Sequence, residues 1–137
     1  MAVLSVSADL SSLPAVRDYV LDQASRVALP EGTDLKIELV LEEVLVNVAH
    51  HAYRRQGGPL EVDCFVRGAS FCCLLRDWGP PFNPLQAEKP DVGQDIEDRP
   101  IGGLGIYLAT TMPDHCSYER LGNANELTFC FSMKQKK

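Results

Sequence analysis

The chain has 137 residues, 45% of them apolar and 23% charged, and a formal net charge of −6. That length suits one domain with a single core, and the composition is that of an ordinary soluble globular protein. The acidic balance argues against a direct nucleic-acid binder, and no apolar run approaches the roughly 20 residues needed to cross a membrane.

In chain order, residues 3–8 alternate enough for a short strand. A helix is expected from Ser11 or Ser12 to about Leu29, with Pro14 tolerated in its first turn. Its apolar stripe is Leu13, Val16, Val20, Leu21 and Ala24. Pro30-Glu31-Gly32 breaks it, and Thr33 or Asp34 can cap a second helix, roughly 34–53. Ile37, Val40, Leu41, Val44, Leu45, Val48 and Ala52 recur there at three- and four-residue steps, the signature of one core-facing side. Leu60–Arg67 and Ser70–Asp77 read as strands, with Gly68-Ala69 between them as a hairpin turn.

Residues 79–101 change character. They hold five of the nine prolines together with Asp91, Asp95, Glu97 and Asp98, and no apolar period, as in a lid or a long loop. A short helix is expected from Gly103 to about Thr111, stopped by Pro113. Strands His115–Leu121 and Glu126–Met133, joined by Gly122-Asn123-Ala124-Asn125, close the chain.

The N-terminus lacks the basic start and apolar run of a signal peptide. The five cysteines are an odd number, and Cys64, Cys72, Cys73 and Cys130 lie in strand-like runs. This fits reduced, mostly buried thiols in a cytoplasmic protein. Neither zinc-ligand nor redox Cys spacing occurs.

Three polar islands carry the chemistry. Glu43 and Asn47 lie one helical turn apart and project from the same side, on a line with Lys36, His50 and Arg54. Glu42 stands about 100° around the helix. An Asn carbonyl suits Mg²⁺, which takes few protein ligands, and a neighbouring Glu can orient a hydroxyl attacking a γ-phosphate. Asp77-Trp78-Gly79 closes a strand where the backbone can turn close to a ligand, and the Asp can accept an adenine amine. Gly102-Gly103-Leu104-Gly105 opens a helix and offers free amides to phosphate. Each island alone also fits a plainer role: a solvated helix edge, a turn, a hinge.

Their combination resembles the GHKL ATP-binding superfamily. LVLEEVLVNVAHHAY is similar to its N-box, RDWGPPF to its first glycine box and GGLGIYL to its second. Within it, the chain looks most like the anti-sigma-factor serine kinases. The resemblance implies an α/β (α+β) two-layer sandwich, the Bergerat fold, with helices on one face of a mixed, largely antiparallel sheet. It implies Asn47 on Mg²⁺, Glu43 as the catalytic carboxylate, and Asp77, with Gly79 beside it, at the adenine amine. Gly103, Leu104 and Gly105 would line the ATP phosphates, Thr128 would reach the adenine side through its hydroxyl, and Arg17 would meet a sigma factor. The implied activity is Mg-ATP-dependent phosphorylation of a serine on a STAS-domain anti-sigma antagonist. The chain would otherwise sequester a sigma factor or another output protein in a partner-switching system, and homodimerisation is implied as well. The alternative is an ATP-occupied switch that holds protein partners without phosphorylating them.

Overall fold

The computed structural model describes residues 3–49, 58–81 and 112–134. Its elements are β1 (Leu4–Ser7), α1 (Leu13–Ala24), α2 (Thr33–Asn47), β2 (Pro59–Arg67), β3 (Ser70–Asp77), β4 (His115–Leu121) and β5 (Ala124–Ser132). The strands form one sheet in the order β1-β2-β3-β5-β4. Among the described residues every pairing is antiparallel, in keeping with the largely antiparallel sheet expected.

Strand alternation decides which side chains meet the helices. Leu60, Val62 and Cys64 of β2, Phe71, Cys73 and Leu75 of β3, and Phe129 and Phe131 of β5 form one core. Val16, Val20 and Ala24 of α1 and Ile37, Val40, Leu41, Val44 and Leu45 of α2 close it from the other side. Phe129 and Phe131 meet edge to face, with centroids 6.0 Å apart at 84°. Both helices therefore cover a single face of the sheet. On the opposite face Arg76 bridges Glu61 of β2 (2.8 Å) and Glu126 of β5 (2.6 Å), tying three strands together.

Several boundaries differ from expectation for local reasons. α1 ends at Ala24 rather than near Leu29. The Ser25 hydroxyl donates to the Asp22 carbonyl at 2.6 Å and competes with the helix ladder. Further on, Pro30 disfavours helical backbone at Leu29, and the Ala28 carbonyl accepts from the Lys134 amide. α2 begins at Thr33 behind Gly32, whose left-handed backbone (φ 90°) caps the helix without a side chain. Neither Thr33 nor Asp34 is the cap; Asp34 sits in the first turn, where the helix dipole favours an acid.

The two hairpin turns are Gly68-Ala69 and Gly122-Asn123, set by the pairs Arg67↔Ser70 and Leu121↔Ala124. Each turn's glycine has positive φ (58° and 61°), which other residues rarely adopt. The second turn is thus two residues long, not four, and β5 starts at Ala124.

Cys72 and Cys130 are also corrected. Expected as reduced thiols, they face each other across β3 and β5 and are joined as a disulfide. Cys64, Cys73 and Cys116 are free. The Cys64 and Cys73 sulfurs lie 3.6 Å apart in the core.

Candidate nucleotide site

α2 carries its polar line inward. Along it Lys36 is exposed, Glu43 half-buried and Asn47 buried, while Glu42 is exposed. Asn47 follows Val40 and Val44 by seven and three residues, so it shares the edge of the apolar face and is drawn under with it. Its carbonyl oxygen Oδ1 is shielded from solvent and has no hydrogen-bond partner among the described residues. A buried acceptor left unsatisfied costs about 1–3 kcal/mol, so this oxygen is poised for a ligand rather than for stability. Beyond Asn47 the helix widens into a π-type turn at Val48-Ala49, a distortion common beside functional sites.

At the end of β3, Asp77 continues the parity of Cys73 and Leu75 and so lies on the sheet face that α2 covers. It is 8% exposed. Its Oδ1 accepts from the Gly79 amide (2.9 Å) and from Asn125 Nδ2 (2.9 Å). Among the described residues no donor reaches Oδ2, the oxygen left for an external N–H. The Gly79 bond closes an Asx-type turn, and Gly79 is itself buried.

Sequence reasoning missed the residues that hold this turn. Asn125, 5% exposed, pairs with Asp77 in the β3–β5 register. Its Nδ2 donates to Asp77 and to the Pro80 carbonyl (2.9 Å), with a longer approach to the Gly79 carbonyl (3.4 Å). The Tyr118 hydroxyl donates to Asn125 Oδ1, and Arg120 donates to the Gly79 carbonyl at 2.8 Å. The available signal was parity: Asn125, Leu127, Phe129 and Phe131 are alternate residues, so the Asn belongs on the core side.

The same parity corrects Thr128. It pairs with Leu74 and Ser117, three residues along β5 from Asn125, and its side chain lies on the sheet face away from Asp77. Its hydroxyl is not brought beside the Asp77 carboxylate, where Asn125 sits instead. Arg17, on α1, is 40% exposed and 3.9 Å from Glu38 of α2, a loose surface pair of little energy. Gly103, Leu104 and Gly105, the expected helix they open, residues 82–101 of the expected lid, and His50 and Arg54 lie outside the described residues.

A metal centre built from protein alone needs several anionic or imidazole ligands. Among the described residues no three His, Cys, Asp or Glu side chains gather in that way. A hard cation shared with phosphate oxygens needs far less, and the unpartnered Asn47 carbonyl is a donor of the right kind. The residues present therefore fit Mg²⁺ held jointly with a nucleotide.

The sequence profile of the histidine kinase-like ATPase domain matches residues 6–131. The chain is 28% identical over 115 residues to a serine-protein kinase RsbW of Listeria monocytogenes, covering 74% of this chain and 73% of that one. With a serine-protein kinase RsbW of Bacillus mycoides it shares 23% identity over 113 residues, covering 74% and 71%. The fold is similar to that of the Acinetobacter baumannii histidine kinase AdeS, with a TM-score of 0.54 at 15% identity over 98% of this chain and 70% of the other. With the profile spanning both α2 and the turn that follows β3, this chain belongs to the histidine kinase-like ATPase family, the GHKL type.

Proposed function

We propose that the chain is an ATP-dependent serine protein kinase of the anti-sigma-factor type. It binds Mg-ATP and phosphorylates a serine on a STAS-domain antagonist, and in the alternate state of the switch it holds a sigma factor or a similar output protein. The observation that carries this reading is the pairing on α2 of a half-buried Glu43 with a buried Asn47 whose carbonyl oxygen has no partner among the described residues. Similarity to two serine-protein kinases named RsbW supports the choice of serine as acceptor.

In this reading Asn47 Oδ1 would hold Mg²⁺, which would supply charge screening to the phosphates of the nucleotide. Glu43, one turn away, orients the incoming serine hydroxyl and accepts its proton. Asp77 accepts the exocyclic amine of adenine through Oδ2, because Oδ1 is already engaged by Gly79 and Asn125. Most of the rate then comes from positioning, as is usual for phosphoryl transfer. Arg17, partly exposed on α1, is the proposed contact for the output protein.

The test is incubation of the chain with γ-labelled ATP, Mg²⁺ and a panel of STAS domains from the same organism. Label on a serine of one domain supports the kinase. If ATP binds but no STAS domain is labelled, the non-phosphorylating switch replaces it.

A further inference from the structure

The end of β3 is held by more bonds than a turn requires. Asn125 Nδ2 has two hydrogens and faces three oxygens: Asp77 Oδ1, the Pro80 carbonyl and, at longer range, the Gly79 carbonyl. All three only accept. Turning the amide over would set its oxygen against a carboxylate and two carbonyls, which fixes its orientation, and the Tyr118 hydroxyl then donates to Oδ1. Arg120, two residues along β4 from Tyr118, grips the Gly79 carbonyl with one guanidinium nitrogen (2.8 Å) and the Gly122 carbonyl with another (3.2 Å). The three side chains come from the β4–β5 hairpin, and two of them, Asn125 and Arg120, reach across to the segment leaving β3.

We infer that Asn125, oriented by Tyr118 and backed by Arg120, is a positioning residue that sets the base specificity of the nucleotide site. The inference rests on the proposed role of Asp77. With two donors on Oδ1, the Asp77 carboxylate is fixed in rotation and remains an acceptor, and Oδ2 meets whatever the base presents. A 6-amino purine presents an N–H there and is accepted. A 6-oxo purine presents a carbonyl oxygen, and two acceptors repel. Freed from Asn125, the carboxylate can rotate or take a water that donates to the oxo group, and the discrimination falls. The ligand class selected is the adenine nucleotides, and the selecting element is the hairpin rather than Asp77 alone.

The test is calorimetric affinity for Mg-ATP and Mg-GTP in the wild type, Asn125→Ala, Tyr118→Phe and a control, Ser117→Ala. Ser117 is exposed on the opposite face of β4. Loss of a hydrogen bond to a charged group shifts an equilibrium about tenfold. The ATP-to-GTP affinity ratio should therefore fall about tenfold in Asn125→Ala, fall less in Tyr118→Phe, and stay unchanged in Ser117→Ala. A purely structural Asn125 would weaken both nucleotides equally and leave the ratio intact, which overturns the inference. If Asn125→Ala does not fold, Tyr118→Phe decides, and a wild-type ratio there counts against it. A wild type that binds no ATP removes the proposed function and this inference together. A wild type that prefers ATP, with variants that keep its preference, removes this inference alone.

Discussion

Replacing Asn47 by Leu should make the nucleotide-free protein more stable and the site non-functional. The two side chains have nearly the same shape, so no cavity opens, while the buried Oδ1 without a partner is removed. An unsatisfied buried acceptor costs about 1–3 kcal/mol, and with Asn47 at 9% exposure the lower half of that range applies. A gain of about 1 kcal/mol raises the melting temperature of a domain of this size by roughly 3–5 °C. Mg-ATP should act in the opposite sense. At a hundredfold excess over its dissociation constant it adds about 2.7 kcal/mol to the wild type, and the Mg²⁺-dependent part of this gain should vanish in Asn47→Leu. Thermal unfolding with and without Mg-ATP, followed by circular dichroism, reads both effects. A variant that melts lower than wild type without ligand, yet keeps the full Mg-ATP increment, would refute the reasoning on both counts.

Other outcomes follow from neighbouring features. Glu43→Gln should leave ATP binding largely intact and slow serine labelling by about 10²-fold, whereas Glu42→Gln, exposed and off the Asn47 line, should match wild type; an inactive Glu42→Gln with an active Glu43→Gln would reverse the assignment. Alkylation of the unfolded, unreduced chain followed by mass spectrometry should modify only Cys64, Cys73 and Cys116, and labelling of all five cysteines would remove the Cys72–Cys130 bridge. Reducing that bridge, whose cysteines are 58 residues apart, should lower stability by up to about 4 kcal/mol in the chain-entropy model, and equal denaturation midpoints with and without reductant would contradict this. Burial pushes the Cys116 thiol up from 9.0 to about 11. The folded state then holds this proton more tightly than the unfolded one, so the contribution is complete below about pH 9 and is lost as the pH rises towards 11. The alkaline fall in stability should be shallower in Cys116→Ala, and an identical slope would count against burial as its cause.

α2 was readable because Ile37, Val40, Leu41, Val44 and Leu45 mark a 3.6-residue period that packing obeys. That period fixed the phase of Glu43 and Asn47 as well, so the burial gradient along their line was implicit in the spacing. The β2–β3 hairpin was equally plain, with two alternating runs separated by Gly68-Ala69. What escaped depends on partners distant in sequence. Ser25 and Ala28 end α1 through a local side-chain bond and a bond to Lys134, neither of which periodicity reports. Ala124 and Asn125 look like turn residues, and they become strand because they pair with Leu121 and Arg120 of β4 and Asn125 also pairs with Asp77 of β3. Thr128 was expected beside Asp77 from the family resemblance, whereas being out of step with Phe129 and Phe131 turns it to the other face. Cys72 and Cys130 meet only once β3 and β5 are set side by side, across an intervening segment that composition alone does not place.

The most direct measurement is a calorimetric titration of the wild-type chain with ATP in millimolar Mg²⁺, repeated with the metal chelated. Saturable binding that weakens markedly on chelation is expected, since Asn47 offers its carbonyl to the ion and the ion binds the phosphates. No binding heat with Mg²⁺ present, or the same affinity with and without it, would contradict the site built from α2 and the end of β3.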